Sequence, residues 1–90
     1  MTLDVHLYEN GRIGQFLFQI DDKIYGDLYP SFRLFQQRTG LLIDPYRDLV
    51  VDIALPALIL ALTEGHVSLA LRGILEKCER MGQSVIFVGD

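Results

Sequence analysis

The first half of the chain is dominated by one stretch, LDVHLYENGRIGQFLFQI at residues 3–20, and this stretch decides the fold. Its opening residues alternate between apolar and polar, which is the period of a half-buried β-strand. The dipeptide Asn10–Gly11 follows, and both residues tolerate the positive φ angles of a two-residue hairpin turn. The stretch therefore predicts an N-terminal β-hairpin. The apolar residues of its first strand are Leu3, Val5 and Leu7.

The second strand of this hairpin also alternates, with one irregularity. The period predicts that Phe16, Phe18 and Ile20 share one face of the strand. The opposite face would then carry Gln15, Leu17 and Gln19. Gly14 interrupts the alternation, and we expect a β-bulge there.

The middle of the chain gives weaker signals. Asp21–Asp22 indicates a turn, and residues 23–28 predict a short third strand. Residues 31–39 fit a short helix with Ser31 as its N-cap and Gly40 at its end, but their aromatic residues fit a strand equally well. The short apolar runs 41–43 and 49–53 predict two further strands.

The second half of the chain is predicted to be mainly helical. Pro56 suits the first turn of a helix that runs to about Glu64, where Gly65 ends it. A second helix follows with Ser68 as its N-cap and Gly82 at its end. Residues 84–88 then form a C-terminal strand. The stripe of apolar residues in the second helix consists of Val67, Leu71, Ile74, Leu75, Cys78 and Met81.

These elements together predict an α+β protein with one domain over residues 1–90. A small, mostly antiparallel sheet starts with the N-terminal hairpin, includes the C-terminal strand and packs against two or three helices. Half of the residues are hydrophobic, which argues for a folded chain.

Charge and composition favour some partners over others. The net charge of −4 and the lack of a Lys/Arg stripe argue against direct nucleic-acid binding. The single cysteine allows no internal disulfide, which suits a reducing compartment. The first residues do not resemble a signal peptide, and the apolar run 53–62 is too short to cross a bilayer. We therefore expect a cytoplasmic protein with no membrane partner.

The segment LLIDPYRD at residues 41–48, followed by Asp52, is the most distinctive feature of the chain. It places several carboxylates and one arginine near each other beyond an apolar run. The simplest interpretation is a turn capped by Asp44, with Arg47 pairing to a neighbouring acid and Asp52 capping the next segment. A functional interpretation treats the segment as a partner-binding surface. Its residues would be Asp44, Tyr46, Arg47, Asp48 and Asp52.

No set of residues in the sequence predicts catalysis. His6 and His66 are far apart, lack metal-ligand spacing to other residues and do not predict a zinc site. Cys78 lies in a core stripe and is expected to be a buried thiol. There is no phosphate-binding glycine loop and no nucleophile elbow. We expect no catalytic residues, no bound metal and no cofactor.

Two short motifs carry a family resemblance. The segment Ile43-Asp44-Pro45-Tyr46-Arg47-Asp48 and the ending Val85-Ile86-Phe87-Val88-Gly89-Asp90 resemble the layout of small acidic bacterial proteins with an IDPYxD segment and an apolar last strand. Some similar proteins are immunity proteins, which block a toxin. The resemblance covers roughly the second half of the chain. It implies a bacterial binding protein and supplies no catalytic residues.

The favoured functional prediction is a non-enzymatic protein-binding module, such as an immunity protein that occludes a basic toxin. One alternative is a structural protein or homodimer that associates through the 56–64 helix or an open sheet edge. The other alternative is a small metal-dependent hydrolase that uses Asp44, Asp48 and Asp52 as oxygen ligands.

Overall fold

The computed structural model describes residues 2–89, so Met1 and Asp90, the last residue of the Gly-Asp ending, lie outside the described part. Four strands form one antiparallel sheet in the order β2-β1-β4-β3, and the helices pack on it. The predicted α+β class is therefore confirmed. The elements are β1 Leu3–Glu9, β2 Arg12–Ile20, α1 Asp22–Thr39, β3 Leu49–Val51, α2 Leu55–Glu64, α3 Leu69–Arg80 and β4 Ser84–Val88.

The predicted hairpin is formed by β1 and β2. Asn10 and Gly11 have φ angles of 54° and 75°, and this pair of positive values is that of a type I′ turn. Such a turn matches the right-handed twist of the flanking strands, which is why Asn-Gly is the strongest local signal for a hairpin.

The strand β2 contains two bulges, and these overturn the predicted assignment of faces. Val5 pairs with Phe18, but the next residue, His6, pairs with Phe16, so Leu17 is an extra residue. A second shift follows near Gly14, as predicted. Each bulge reverses the alternation. Phe16 therefore lies on the opposite face from Phe18 and Ile20, and Leu17 packs against the core instead.

The helix α1 replaces the turn predicted at Asp21–Asp22, the strand predicted at 23–28 and the separate short element at 31–39. Asp21 is its N-cap, and the carboxylate Oδ1 accepts a bond of 2.8 Å from the Ile24 N–H. Pro30 lies inside the helix, although proline normally ends one. Burial explains the outcome, because the buried residues of α1 recur at helical spacing. These are Leu28, Ser31, Phe32 and Phe35.

Residues 41–43 do not form the predicted strand. They run as irregular chain from Gly40, whose φ of 78° ends α1 in the left-handed conformation, as a helix-terminal glycine should. Ile43 is nevertheless fully buried, and its carbonyl accepts a 2.8 Å bond from the Tyr25 hydroxyl. The segment 41–43 is therefore fixed by a side chain of α1 instead of by a neighbouring strand. The strand predicted at 49–53 is also shorter, since β3 ends at Val51.

Both predicted helices of the second half are present. Pro56 lies in the first turn of α2, and Gly65 follows its last residue. Gly65 has an ordinary φ of −79°, so the reason for glycine there is space: a Cβ atom would collide with the Ser31 hydroxyl of α1. Ser68 precedes α3 but forms no capping bond with its side chain.

The hydrophobic core lies between the helices and one face of the sheet. Leu3, Val5 and Leu7 of β1 belong to it, together with Val85 and Phe87 of β4. The rings of Phe87 and Phe32 meet edge to face with centroids 6.3 Å apart, which joins the sheet to α1. The fold is thus a two-layer arrangement. No helix of residues 2–89 covers the second face of the sheet, where Phe16 and Val50 remain exposed.

Candidate functional site

The acidic segment forms a tight turn at Asp44–Arg47. One Asp44 side-chain oxygen accepts a 2.9 Å bond from the Tyr46 N–H, and the Asp44 carbonyl accepts a 3.1 Å bond from the Arg47 N–H. Pro45 occupies the second position, where its fixed φ suits a turn. Asp44 therefore caps a turn, as the simplest interpretation of the sequence predicted.

Asp48 is tied to the end of the last strand. Its Oδ1 accepts a 3.0 Å bond from the Gly89 N–H. The backbones approach so closely here that a Cβ atom on Gly89 would lie 2.5 Å from the Arg47 nitrogen and 2.6 Å from the Pro45 oxygen. The turn is consequently locked against the end of β4.

Asp52 lies apart from the other two carboxylates. It follows β3, while Asp48 precedes it, and an extended strand of this length separates their Cα atoms by about 13 Å. The Asp52 carbonyl accepts a 3.0 Å bond from the Leu55 N–H at the start of α2. Within residues 2–89, no three His, Cys, Asp or Glu side chains are grouped as a metal site requires. The hydrolase alternative thus gains no support from the geometry.

Tyr46 and Arg47 are the accessible residues of the turn. Tyr46 is 66% exposed, and Arg47 forms no ion pair with any described residue. The pairing expected between Arg47 and a neighbouring acid is therefore not seen. Asp44 instead lies near Tyr25: burial, followed by the Asp44 charge and by Tyr29, raises the pKa of the Tyr25 phenol above its usual 10.

A second surface, which the sequence analysis did not identify, is the face of the sheet opposite the helices. The register aligns Val50 with Ile86, Ile86 with His6, and His6 with Phe16. These four side chains form a row that crosses all four strands. We call this side of the sheet the open face.

The open face carries apolar residues along this row, and they are only partly shielded. Phe16 and Ile13 are each 50% exposed and Val50 is 38% exposed, whereas the central Ile86 is only 5% exposed between its neighbours. Ile86 is nevertheless separate from the hydrophobic core. The same registers place further residues on this face: Tyr8 pairs with Ile13 and Ser84, and Asp4 pairs with Val88 and Gln19. The two ends of the face therefore mix polar and apolar residues.

His6 is fixed at the centre of the row. Its Nδ1 lies 3.1 Å from the Gly14 carbonyl oxygen, a group that only accepts, so this nitrogen donates. Its ring meets that of Phe16 edge to face, with centroids 5.5 Å apart. The bulges in β2 are what bring Phe16 and the Gly14 carbonyl to this position.

The edges of the sheet are poorly suited to pairing with another strand. The edge strand β2 is broken by two bulges, and the opposite edge strand β3 has only three residues. Bulged and very short edge strands are the usual protection against edge-to-edge association. A partner of this sheet would therefore meet its face, not its edge.

The acidic turn adjoins one end of the open face. Gly89, which Asp48 binds, directly follows Val88, and Val88 is paired with Asp4 on the open face. The Asp4 carboxylate accepts a 3.3 Å bond from the Gln19 amide on the neighbouring strand. Asp4 and Asp48 thus place two carboxylates at the same end of an apolar surface.

The sequence contained one signal for the open face. An antiparallel strand with a solvated side normally alternates apolar and polar residues, but Val85-Ile86-Phe87-Val88 is continuously apolar. The alternation in β1 hid the feature, because His6 and Tyr8 count as polar in such a pattern. The row also depends on the bulges, whose position in β2 determines on which face Phe16 lies.

Cys78 lies on α3, and its free thiol is buried on the side that faces Leu17 of β2. This burial was expected from its position in the apolar stripe. Burial raises the pKa of this thiol. A buried, protonated thiol is a poor nucleophile. We therefore assign it to packing.

A comparison of the chain with known proteins gave no matching family model, no matching curated protein and no matching solved structure. In residues 2–89, no helix has both the length and the apolar character needed to pass through a bilayer.

Proposed function

We propose that this chain is a non-enzymatic protein-binding module and that its contact surface is the open face. The observation that carries the proposal is the row Val50, Ile86, His6 and Phe16, which spans the whole sheet without a covering layer. Exposed apolar side chains at both ends of such a row, on a sheet face that no helix covers, are a candidate interaction site. The aromatic side chains of this surface are also of the type enriched at the centre of protein interfaces.

The acidic turn supplies the polar border of this proposed surface. Tyr46, Arg47 and Asp48 lie on the segment that is locked to the end of β4, while Asp44 shapes the turn and Asp52 stands at the far end of β3. Together with the net charge of −4, this border favours a basic partner. A toxin occluded in a bacterial cytoplasm, as the motif resemblance implies, would be a partner of this kind.

Self-association is the second candidate, but the interfaces expected from the sequence are small. Leu60 of α2 is 54% exposed, whereas Leu58 and Leu62 are fully buried in the same chain. The sheet edges are bulged or short. A homodimer through either of these two interfaces is therefore not favoured.

The proposal can be tested by capture of partners from a lysate of the cells that produce this protein. Three tagged forms are compared: wild type, Phe16→Thr and Leu69→Gln. Leu69 is 78% exposed on α3 and serves as the control for loss of exposed apolar surface. We expect one stoichiometric protein with wild type and Leu69→Gln and its loss with Phe16→Thr. Equal capture by all three forms at matched stability would reject the open face as the contact surface.

A further inference from the structure

We infer that the open face accepts a single amphipathic α-helix of another protein, with basic residues that lie over Asp4 and Asp48. This inference rests on the proposed function and names the class of partner. It depends on the size of the open face, on the protection of the sheet edges and on the distribution of charge.

The size of the open face favours one helix over a second copy of the domain. From strand spacing and rise, four short strands present about 300 Å². A stable interface between two folded domains buries about 800 Å² on each partner, which is well above this area. A helix about 10 Å in diameter fits across such a sheet and would add the missing third layer.

The sheet edges argue against β-strand addition, which is the other common way in which a peptide binds a sheet. Addition of a strand needs a regular, unpaired edge, but β2 is bulged twice and β3 has three residues. An extended peptide therefore lacks a template here. A helix satisfies its own backbone hydrogen bonds and needs only the apolar side chains of the face.

The charge distribution of the open face indicates the sign of the charge that the partner helix should carry. Among the strand residues assigned to the open face, Asp4 is the charged one, and Asp48 lies beside the same end through its bond to Gly89. At the Tyr8 and Ile13 end, the carboxylate of Glu9 is matched by Arg12, its cross-strand partner in the hairpin, so this pair adds no net charge. Lysine or arginine at one end of the helix would complement Asp4 and Asp48, whereas a second copy of the chain, itself at −4, brings net repulsion.

The test uses three synthetic helical peptides of about 16 residues, a length that spans the sheet. The first has a leucine stripe with lysines on its polar side, the second has glutamates in place of the lysines, and the third has the first composition scrambled so that the stripe is lost. Binding to the full chain is measured by fluorescence anisotropy at low and moderate salt. We expect the lysine peptide to bind at least about tenfold more tightly than either of the others.

Matched variants assign this binding to the open face. Phe16→Thr should weaken binding of the lysine peptide by about tenfold, while Leu69→Gln should leave its affinity unchanged. Asp4→Asn with Asp48→Asn keeps both hydrogen bonds and should reduce the preference for lysine over glutamate by about threefold or more. Glu76→Gln with Glu79→Gln removes the same charge from the exposed side of α3 and should leave the preference unchanged.

Three outcomes would overturn the inference. In the first, the scrambled peptide binds as tightly as the lysine peptide. In the second, the glutamate peptide binds as tightly as the lysine peptide. In the third, light scattering shows that the wild-type protein is a dimer and that Phe16→Thr dissociates it. If the peptides fail but cellular capture still depends on Phe16, the basic helix is rejected while the proposed function stands. If Phe16→Thr affects neither peptide binding nor cellular capture, the basic helix and the proposed function are both rejected.

Discussion

Gly89 shows how a single residue links the acidic turn to the sheet. Its N–H is bonded to Asp48, and the space where a Cβ would be is occupied by the backbones of Pro45 and Arg47. Backbone atoms cannot move away as the end of a flexible side chain can. The turn and the end of β4 are therefore expected to be sensitive to any side chain at position 89.

Gly89→Ala should lower the free energy of unfolding by about 1–3 kcal/mol, because the turn must shift and the bond to Asp48 weakens. Gly73→Ala is the matched control, since nothing lies within contact distance of its Cβ position on α3. That control should stabilise the protein by about 0.5–1 kcal/mol through helix propensity. Urea denaturation measures both, and equal effects of the two changes would contradict the packing described for Gly89.

Tyr25 predicts a specific dependence of stability on pH. Burial, Asp44 and Tyr29 raise the pKa of its phenol in the folded state, so the fold binds this proton more tightly than the unfolded chain does. The resulting stabilisation is fully present below about pH 10, the unfolded value, and is lost as the pH rises through the folded value. Tyr25→Phe should remove this alkaline loss.

The same substitution also removes the hydroxyl that donates a hydrogen bond to the Ile43 carbonyl. This loss should lower the free energy of unfolding by about 1 kcal/mol near neutral pH. Unfolding by urea at about pH 8 and about pH 10.5 separates the two effects. Tyr46→Phe provides the control, because Tyr46 is 66% exposed. An unchanged alkaline loss in Tyr25→Phe would show that another group is responsible.

At the scale of elements, α1 is a helix that keeps an internal proline. Pro30 has no N–H to donate to the Gly26 carbonyl four residues before it, and its ring crowds that carbonyl. Pro30→Ala should therefore stabilise the protein by about 1–2 kcal/mol, less than the full helix penalty because the unfolded chain gains freedom. Thermal or urea unfolding measures the change.

Pro56→Ala is the comparison for Pro30. Pro56 lies in the first turn of α2, where a missing N–H is harmless, so its replacement should have little effect or be slightly destabilising. If Pro30→Ala destabilised the protein instead, the ring of Pro30 would be required for packing of α1.

At the scale of the whole molecule, the two faces of the sheet differ in what covers them. Val51 and Val50 are neighbours in β3, but Val51 is fully buried under the helices and Val50 is 38% exposed on the open face. Val51→Ala should lower the free energy of unfolding by about 2 kcal/mol, because it leaves a cavity in the core. Val50→Ala should cost less than about 1 kcal/mol in the free protein.

The same pair of variants should behave in reverse toward a partner. Val50→Ala removes area from the proposed contact surface and should weaken binding of the lysine peptide, while Val51→Ala should leave its affinity unchanged wherever the protein stays folded. Equal stability losses for both valines would mean that the open face is covered in the free molecule.

Much of this architecture was predictable because its signals are local. Asn10–Gly11 determines a hairpin within two residues, Pro56 and Gly65 bracket α2, and the stripe along α3 repeats at helical spacing. The bounds of α1 were not predictable in the same way. Pro30 and Gly26 are local evidence against a helix, and only the burial of Leu28, Phe32 and Phe35 against the sheet outweighs them.

The sequence by itself determined the hairpin, the α+β class, the two later helices and the turn at Asp44, since each depends on contacts between near neighbours. Tertiary structure alone decided that Gly89 locks this turn, that Asp48 and Asp52 are separated by a strand, and that Phe16 faces away from Phe18. The physical reason is that strand order and bulge position are set by pairing between residues distant in the chain. These pairings place Val50, Ile86, His6 and Phe16 in one row.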